Sequence, residues 1–265
     1  LNTNAYAGFS QVEWDFASQW TAIVGLRYTD DQKHYHYVQN VCPNFAACNA
    51  VFYPAQDLSR EDKLGTGKVE LEYHLADDML LYASYNRGAK SGGFNFPLSS
   101  TGPAAQPPST LPYKPERLTT YEAGFKTDWL NHTLQVNGEA YYYDYHDFQS
   151  FILLPPLTTF LRNNPAITRG AELSMNAKPI NGLTTSLSVD YVNNQVSQVN
   201  IASLSGLPLY YTKEAPFTSP WQATALVRYE WPLFGGSLGV QGDAKFIDAY
   251  FFSLTNYQST RQPHF

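Results

Sequence analysis

From residue 20 onward, apolar and polar residues alternate along the chain. Trp20, Ala22, Val24, Leu26 and Tyr28 stand against Thr21, Gly25, Arg27 and Thr29, with Ile23 the exception on the polar side. Successive side chains of a strand point to opposite faces, so this spacing predicts a strand with one apolar face that ends in aromatics. The pattern returns as Val69, Leu71, Tyr73 and Leu75 against Lys68, Glu70, Glu72 and His74. It returns again as Tyr121, Ala123, Phe125 and Trp129 against Glu122, Lys126 and Asp128, and as Leu134, Val136, Ala140 and Tyr142 against Gln135, Asn137, Glu139 and Tyr141. Later copies centre on Leu173 and Met175, on Leu187, Val189 and Tyr191, on Ala225, Val227, Tyr229 and Trp231, and on Leu238, Val240 and Ala244. With less regular segments at residues 6–16 and 80–86, the chain holds about ten strands.

What joins the strands alternates between two kinds. Tight turns are expected at residues 17–19, 76–78, 130–132, 179–182 and 232–236, where a few turn-forming residues suffice to reverse the chain. Between them lie long connections at residues 31–62, 88–116, 146–165 and 193–219, and after Phe246, rich in Pro, Ser, Asn, Gln or Gly. Short turns on one side and long loops on the other predict an all-β, antiparallel up-and-down barrel in an outer membrane.

Cost decides which face meets lipid. A Lys or Arg on the lipid face near the bilayer midplane costs about 2–4 kcal/mol, so the faces carrying Lys68, Glu70, Glu72, Arg228 and Lys245 look into the lumen. Trp20, Tyr28, Tyr73, Trp129 and Trp231, at the ends of apolar faces, then suit the interfacial girdles. The chain's 20 Tyr, 16 Phe and 5 Trp supply such girdles amply. Its apolar runs are too short for a membrane-spanning helix of about 20 residues. The net charge of −6, without a Lys/Arg cluster, argues against a nucleic-acid partner. No signal peptide opens the chain at Leu1, which for an exported protein points to a missing or processed N-terminus.

Candidate chemistry is sparse. Cys42 and Cys48 share the first long loop and read as a disulfide of an oxidising compartment. A metal site with the neighbouring His34 and His36 is the alternative, although the pair itself has no third ligand at the usual spacing. Gly65-Thr-Gly-Lys68 lacks the spacing of a phosphate loop and the hydroxyl residue after the lysine. Neither a nucleophile elbow nor a zinc-protease helix is present. The carboxylates Glu70, Glu72, Glu122 and Glu172 read as wall charges beside Lys68 and Lys126. Neither an enzymatic role nor a cofactor is expected.

The stretch Leu80-Leu-Tyr-Ala-Ser-Tyr-Asn-Arg-Gly-Ala-Lys-Ser-Gly-Gly-Phe-Asn95 resembles the strand-and-loop segment of TonB-dependent outer-membrane receptors. Lys114-Pro-Glu-Arg-Leu-Thr-Thr-Tyr-Glu-Ala-Gly-Phe-Lys126, the aromatic and Asp-bearing strand at residues 140–148, Thr168-Arg-Gly-Ala-Glu-Leu-Ser174 and Gly25-Leu-Arg-Tyr-Thr29 are similar to further elements of that family, in the expected order. Each alone is weak and the ordered set is specific. The resemblance implies that residues 1–265 are part of a larger barrel of about 22 strands. It also implies a plug domain, which nothing here resembles, outside this stretch. Pro263, two residues before Phe265, denies the chain the closing strand expected of a complete barrel.

By resemblance, the parent protein is an outer-membrane receptor that takes up a scarce nutrient, with an iron–siderophore complex the commonest cargo. Its partners would be the TonB complex, acting through the plug, the nutrient and outer-membrane lipid. Ligand contacts in such receptors come from loops and the upper wall, which makes Arg87, Lys90, Asn95, Tyr143, Tyr145 and His146 the candidates. Basic groups suit an anionic chelate and aromatic faces suit a ring or sugar. A passive porin, a β-propeller with a period of 50–60 residues, and an adhesive barrel displaying the Pro-rich stretch at 103–115 are the competing readings.

Overall fold

The computed structural model describes residues 1–41, 50–96, 108–154, 158–202 and 208–265. Strands β1 (Asn2–Ala17), β2 (Trp20–Val41), β3 (Ala50–Ala76) and β4 (Met79–Lys90) come first. The short β5 (Gly93–Phe94) and β6 (Pro112–Tyr113) follow, then β7 (Glu116–Trp129), β8 (Leu134–Leu154), β9 (Thr158–Ala177) and β10 (Leu183–Ala202). The last part holds β11 (Pro208–Glu214), β12 (Trp221–Leu233), β13 (Gly236–Ile247), β14 (Tyr250–Phe251) and β15 (Arg261–Gln262).

The long strands form one antiparallel sheet in the order β1-β2-β3-β4-β7-β8-β9-β10-β12-β13, with β11 pairing the upper end of β10. Neighbours in the sheet are neighbours in the chain. This is the meander of an up-and-down wall, and it excludes separate four-stranded propeller blades.

Each predicted tight turn is present. Asp77 and Asp78 join β3 to β4, while Leu130, Asn131 and His132 turn with positive φ. Phe234 and Gly235 close the β12–β13 hairpin, so Pro232 and Gly236 fall inside strands. At the β9–β10 turn Gly182 has φ of 83°, and its carbonyl accepts the Glu230 N–H at 2.8 Å.

The long connections differ from expectation. Much of residues 31–62 is strand, because β2 and β3 stay paired from Asp31 opposite Asp62 to Val41 opposite Ala50. The same holds in 146–165, where β8 and β9 pair to Leu154 and Thr158. Beyond the bilayer both faces are wet, so the strands need no apolar alternation, and ladder hydrogen bonds with cross-strand pairs hold them. His36 Nδ1 meets Asp57 Oδ1 at 2.6 Å, and the Tyr35 and Tyr37 rings stack at 5.8 Å. After Pro263, Phe265 exchanges backbone bonds of 2.9 and 3.0 Å with Ile247 at the end of β13.

Among the described residues, core packing of the globular kind lies at the mouth. Ala166, Val196, Val199, Ala215 and Leu254 form a small buried cluster, flanked by Tyr145, Phe148 and Ile201. Bulges between Tyr145 and Phe148 and between Val196 and Val199 bend the strand ends there.

Candidate functional site

Register assigns each side chain to a face. Trp20 is opposite Tyr73 with ring centroids 4.5 Å apart, and Tyr229 and Trp231 lie 5.7 Å apart, which builds the girdle on the short-turn side. On the other side Tyr85, Tyr121 and Tyr142 stand opposite one another, with centroids at 5.4 and 6.4 Å, and Tyr191 meets Trp221 at 4.8 Å. The positions between the two girdles on this face carry Ala, Leu, Val, Phe, Gly, Met, Thr and Ser, and none is ionisable among the described residues. This is the face that the cost of burying a charge in hydrocarbon assigns to lipid.

The opposite, lumen face is acidic. One row runs Glu72, Tyr82, Gly124, Glu139, Glu172 and Asp190. The row above runs Glu70, Ser84, Glu122 and Tyr141. Lys68 pairs with Glu70 at 2.8 Å, and Lys126 lies 5.6 Å from the Tyr82 ring centre. Phenols hold other carboxylates, with the Tyr82 hydroxyl donating to Glu139 at 2.7 Å and the Tyr143 hydroxyl to Glu122 at 2.8 Å. Higher still stand Asn86, Thr120, Tyr143, Thr168 and Asn194. Asn86 donates to Thr120 at 2.9 Å, while Thr168 Oγ1 and Asn194 Oδ1 are buried without a hydrogen-bond partner among the described residues. A wall with surplus carboxylates and unpartnered polar atoms is suited to a polar, cationic counter-surface.

Above this wall the mouth is fastened by charge-assisted bonds. Asp62, 5 % exposed, accepts from Arg60 Nε at 2.7 Å and from the Gly92 N–H at 2.9 Å. Gly92 is obligatory, since a Cβ there would strike the Tyr113 carbonyl and the Arg60 guanidinium. Lys33 bridges Asp31 at 3.0 Å and also reaches Ser91. Burial alone would raise the Asp31 carboxyl, but hydrogen bonds from Lys33 and Ser91 and the lysine charge outweigh it and hold it below the usual aspartate value. Burial pushes the Tyr113 phenol up, against the pull of the Arg60 charge. Gln149 ties β8 to the same segment, donating to the Ser91 carbonyl at 2.9 Å and the Lys114 carbonyl at 3.2 Å.

The structure does not bring the six residues proposed from the sequence into one site. Tyr143 and Tyr145 face the lumen, and Tyr143 stacks on Tyr141 at 4.8 Å. Tyr145 packs against Phe148 at 5.3 Å, where burial and then the Glu116 charge push its phenol up. Lys90 is exposed at the end of β4, opposite Glu116. Asn95 is buried, and its amide is spent on Leu161, accepting the backbone N–H at 2.7 Å and donating to the carbonyl at 2.9 Å. Arg87 and His146 fall on the outward face, His146 with Asp144 at 3.6 Å. Parity along the strand would have placed Arg87 there, because it is two residues from the girdle Tyr85. Sequence reasoning missed Asp62 and Gln149, whose partners Gly92 and Ser91 lie 30 and 58 residues away along the chain, and Arg60, which is held by Asp62. Cys42, Cys48 and the stretch at 97–107 lie outside the described residues. Among the described residues, His34 and His36 belong to no cluster of three metal-ligating side chains.

Over residues 1–265 the sequence matches the family described as TonB dependent receptor-like, beta-barrel. The chain belongs to the TonB-dependent receptor β-barrel family. Members of this family are receptors and transporters of the bacterial outer membrane. Among solved structures, this TonB-dependent receptor wall is similar to the ferric yersiniabactin uptake receptor FyuA from Yersinia pestis, with a TM-score of 0.77 and 19 % identity. The match covers 99 % of this chain and 37 % of that one. It is also similar to the copper transporter OprC (TM-score 0.73, 21 % identity, 95 % of this chain, 36 % of that one). A third likeness is to the siderophore receptor PiuA from Acinetobacter baumannii (TM-score 0.70, 16 % identity, 99 % of this chain, 35 % of that one). At these identities the likeness shows the fold, and the chain spans little more than a third of each receptor. The TonB-dependent receptor wall seen here is therefore a partial barrel.

Proposed function

We propose that this wall belongs to an outer-membrane receptor for energised uptake of a scarce nutrient, with a ferric siderophore as cargo. The observation that carries the reading is the acidic, polar lumen wall beneath a mouth pinned by Asp62 and Gln149. In an open pore these carboxylates would stand in water and select cations, whereas a seated plug with a basic facing surface would neutralise them and give the buried amides partners. Supplied by chain outside this stretch, the plug would be the element that TonB pulls. Lys90, Tyr143 and Tyr145, on the lumen side, are the candidates to meet a descending anionic chelate. The uptake receptor FyuA and the receptor PiuA, whose barrels this wall resembles, support the choice of cargo.

The test is ligand binding by the full-length protein, read as quenching of intrinsic tyrosine and tryptophan fluorescence. A panel of ferric siderophores, haem and cobalamin is titrated. Saturable quenching by a ferric siderophore, weakened in Lys90→Gln with Tyr143→Phe, is expected. Saturable binding of haem or cobalamin alone would replace the cargo. Absence of any saturable binding would favour a porin.

A further inference from the structure

The outward face carries a second feature, on the opposite side of the wall from the lumen. Just outside the Tyr85–Tyr121–Tyr142 girdle, the outward positions hold Arg87, Arg117 and Arg169, all exposed. Arg87 is opposite Thr119, two residues from Arg117, and Arg169 is directly opposite Tyr142. None of the three is in an ion pair among the described residues, and the nearby Asp144 is engaged with His146. Beside Arg87 the same face is hollowed into a groove of about 620 Å³. Its floor is made by Gly8 and Gly65, where an added Cβ would meet only open space, and its walls by Leu26, Tyr28 and Tyr85. Register places these positions on the lipid side, while Phe9, Arg27, Thr66 and Lys68, which alternate with them along the same strands and also line the groove, have the lumen parity.

We infer that this is a binding site for a phosphorylated lipid of the outer leaflet, with one acyl chain in the glycine-floored groove and the headgroup phosphates on the arginines. Guanidinium groups recognise phosphate through paired N–H donors. An arginine near the bilayer interface costs far less than one at the midplane, so three unpaired ones at the headgroup level are tolerable on the lipid side and attract anionic headgroups. An apolar hollow next to unpaired cations complements a molecule that is apolar at one end and anionic at the other.

The inference rests on the outer-membrane placement, and cell fractionation of the full-length protein checks that placement separately. Recovery outside the outer membrane would fail the placement, and the inference with it. The inference itself is tested by native mass spectrometry of the detergent-purified full-length protein with bisphosphorylated lipid A and its dephosphorylated form. The expected result is retention of the bisphosphorylated lipid at least tenfold more strongly, with that advantage lost in R87Q/R117Q/R169Q. Gly65→Leu, which fills the groove, should weaken retention, and an equal concentration of inorganic phosphate should not displace the lipid. The three arginines are exposed, so the heat-shifted electrophoretic mobility of the variant should match the wild type. Should the triple variant not fold, Arg117→Gln alone should still lose about threefold. Equal retention of both lipids, an unchanged arginine variant, or displacement by inorganic phosphate would each overturn the inference in a protein correctly placed in the outer membrane.

Discussion

At the scale of single residues, the mouth depends on a few groups that cannot be exchanged. Asp62→Ala would leave the Arg60 guanidinium and the Gly92 N–H without their buried acceptor, a loss of about 1–3 kcal/mol. Amide hydrogen exchange at Gly92 should rise in that variant while the strands of the wall stay protected. Unchanged protection at Gly92 would remove Asp62 from its role. Acid should release the neighbouring Lys33–Asp31 clip. The folded-state carboxyl of Asp31 titrates below its unfolded value, so its contribution is complete above the ordinary aspartate range and is lost as pH falls through the depressed value. Exchange at Ser91 should therefore accelerate only below the ordinary aspartate range, and Asp31→Asn should abolish that acid step. Little of this clip was legible in the sequence. Asn95 shows why, because a motif asparagine offers itself equally to a ligand and to the backbone of Leu161, and only the fold reveals which takes it.

Strands and turns were far more legible, since the bilayer imposes a rule that each strand obeys alone. Apolar positions from Trp20 to Tyr28, or from Tyr121 to Trp129, must face lipid whatever the neighbouring strand does. Beyond the girdles that rule lapses, and the paired extension of β2 and β3 could not be read from residues 31–62. Substitution of Ala225, midway along the lipid face of β12, by Lys should cost about 2–4 kcal/mol, whereas Gln222→Lys on the lumen side, opposite Asp190, should be close to neutral. Thermal unfolding in detergent-free bilayers would separate them, and equal effects would invert the facing assigned here. In the turns, Gly182→Ala combines a φ of 83° with a Cβ that would strike the Glu230 carbonyl, for a loss of about 1–3 kcal/mol. Gly242→Ala, with open space around its Cβ, should leave stability unchanged or raise it slightly.

For the whole molecule, the wall has two differently charged faces, and each sets a demand on its surroundings. The lipid face is apolar between aromatic belts, while the lumen face gathers Glu70, Glu72, Glu122, Glu139, Glu172 and Asp190 around few cations. Those carboxylates were visible in the sequence as one parity of several strands, but their assembly into adjoining rows needed the register. A basic plug seated against them, moved by work drawn from the inner membrane, is the account proposed here. The most direct test is uptake of radiolabelled iron from ferric siderophores by iron-starved cells expressing the full-length protein, with and without a proton uncoupler. The account predicts saturable uptake that collapses when the proton gradient is dissipated. Uptake that persists with the uncoupler, rises linearly with concentration and extends to unrelated small solutes would contradict it and make this the wall of a passive channel.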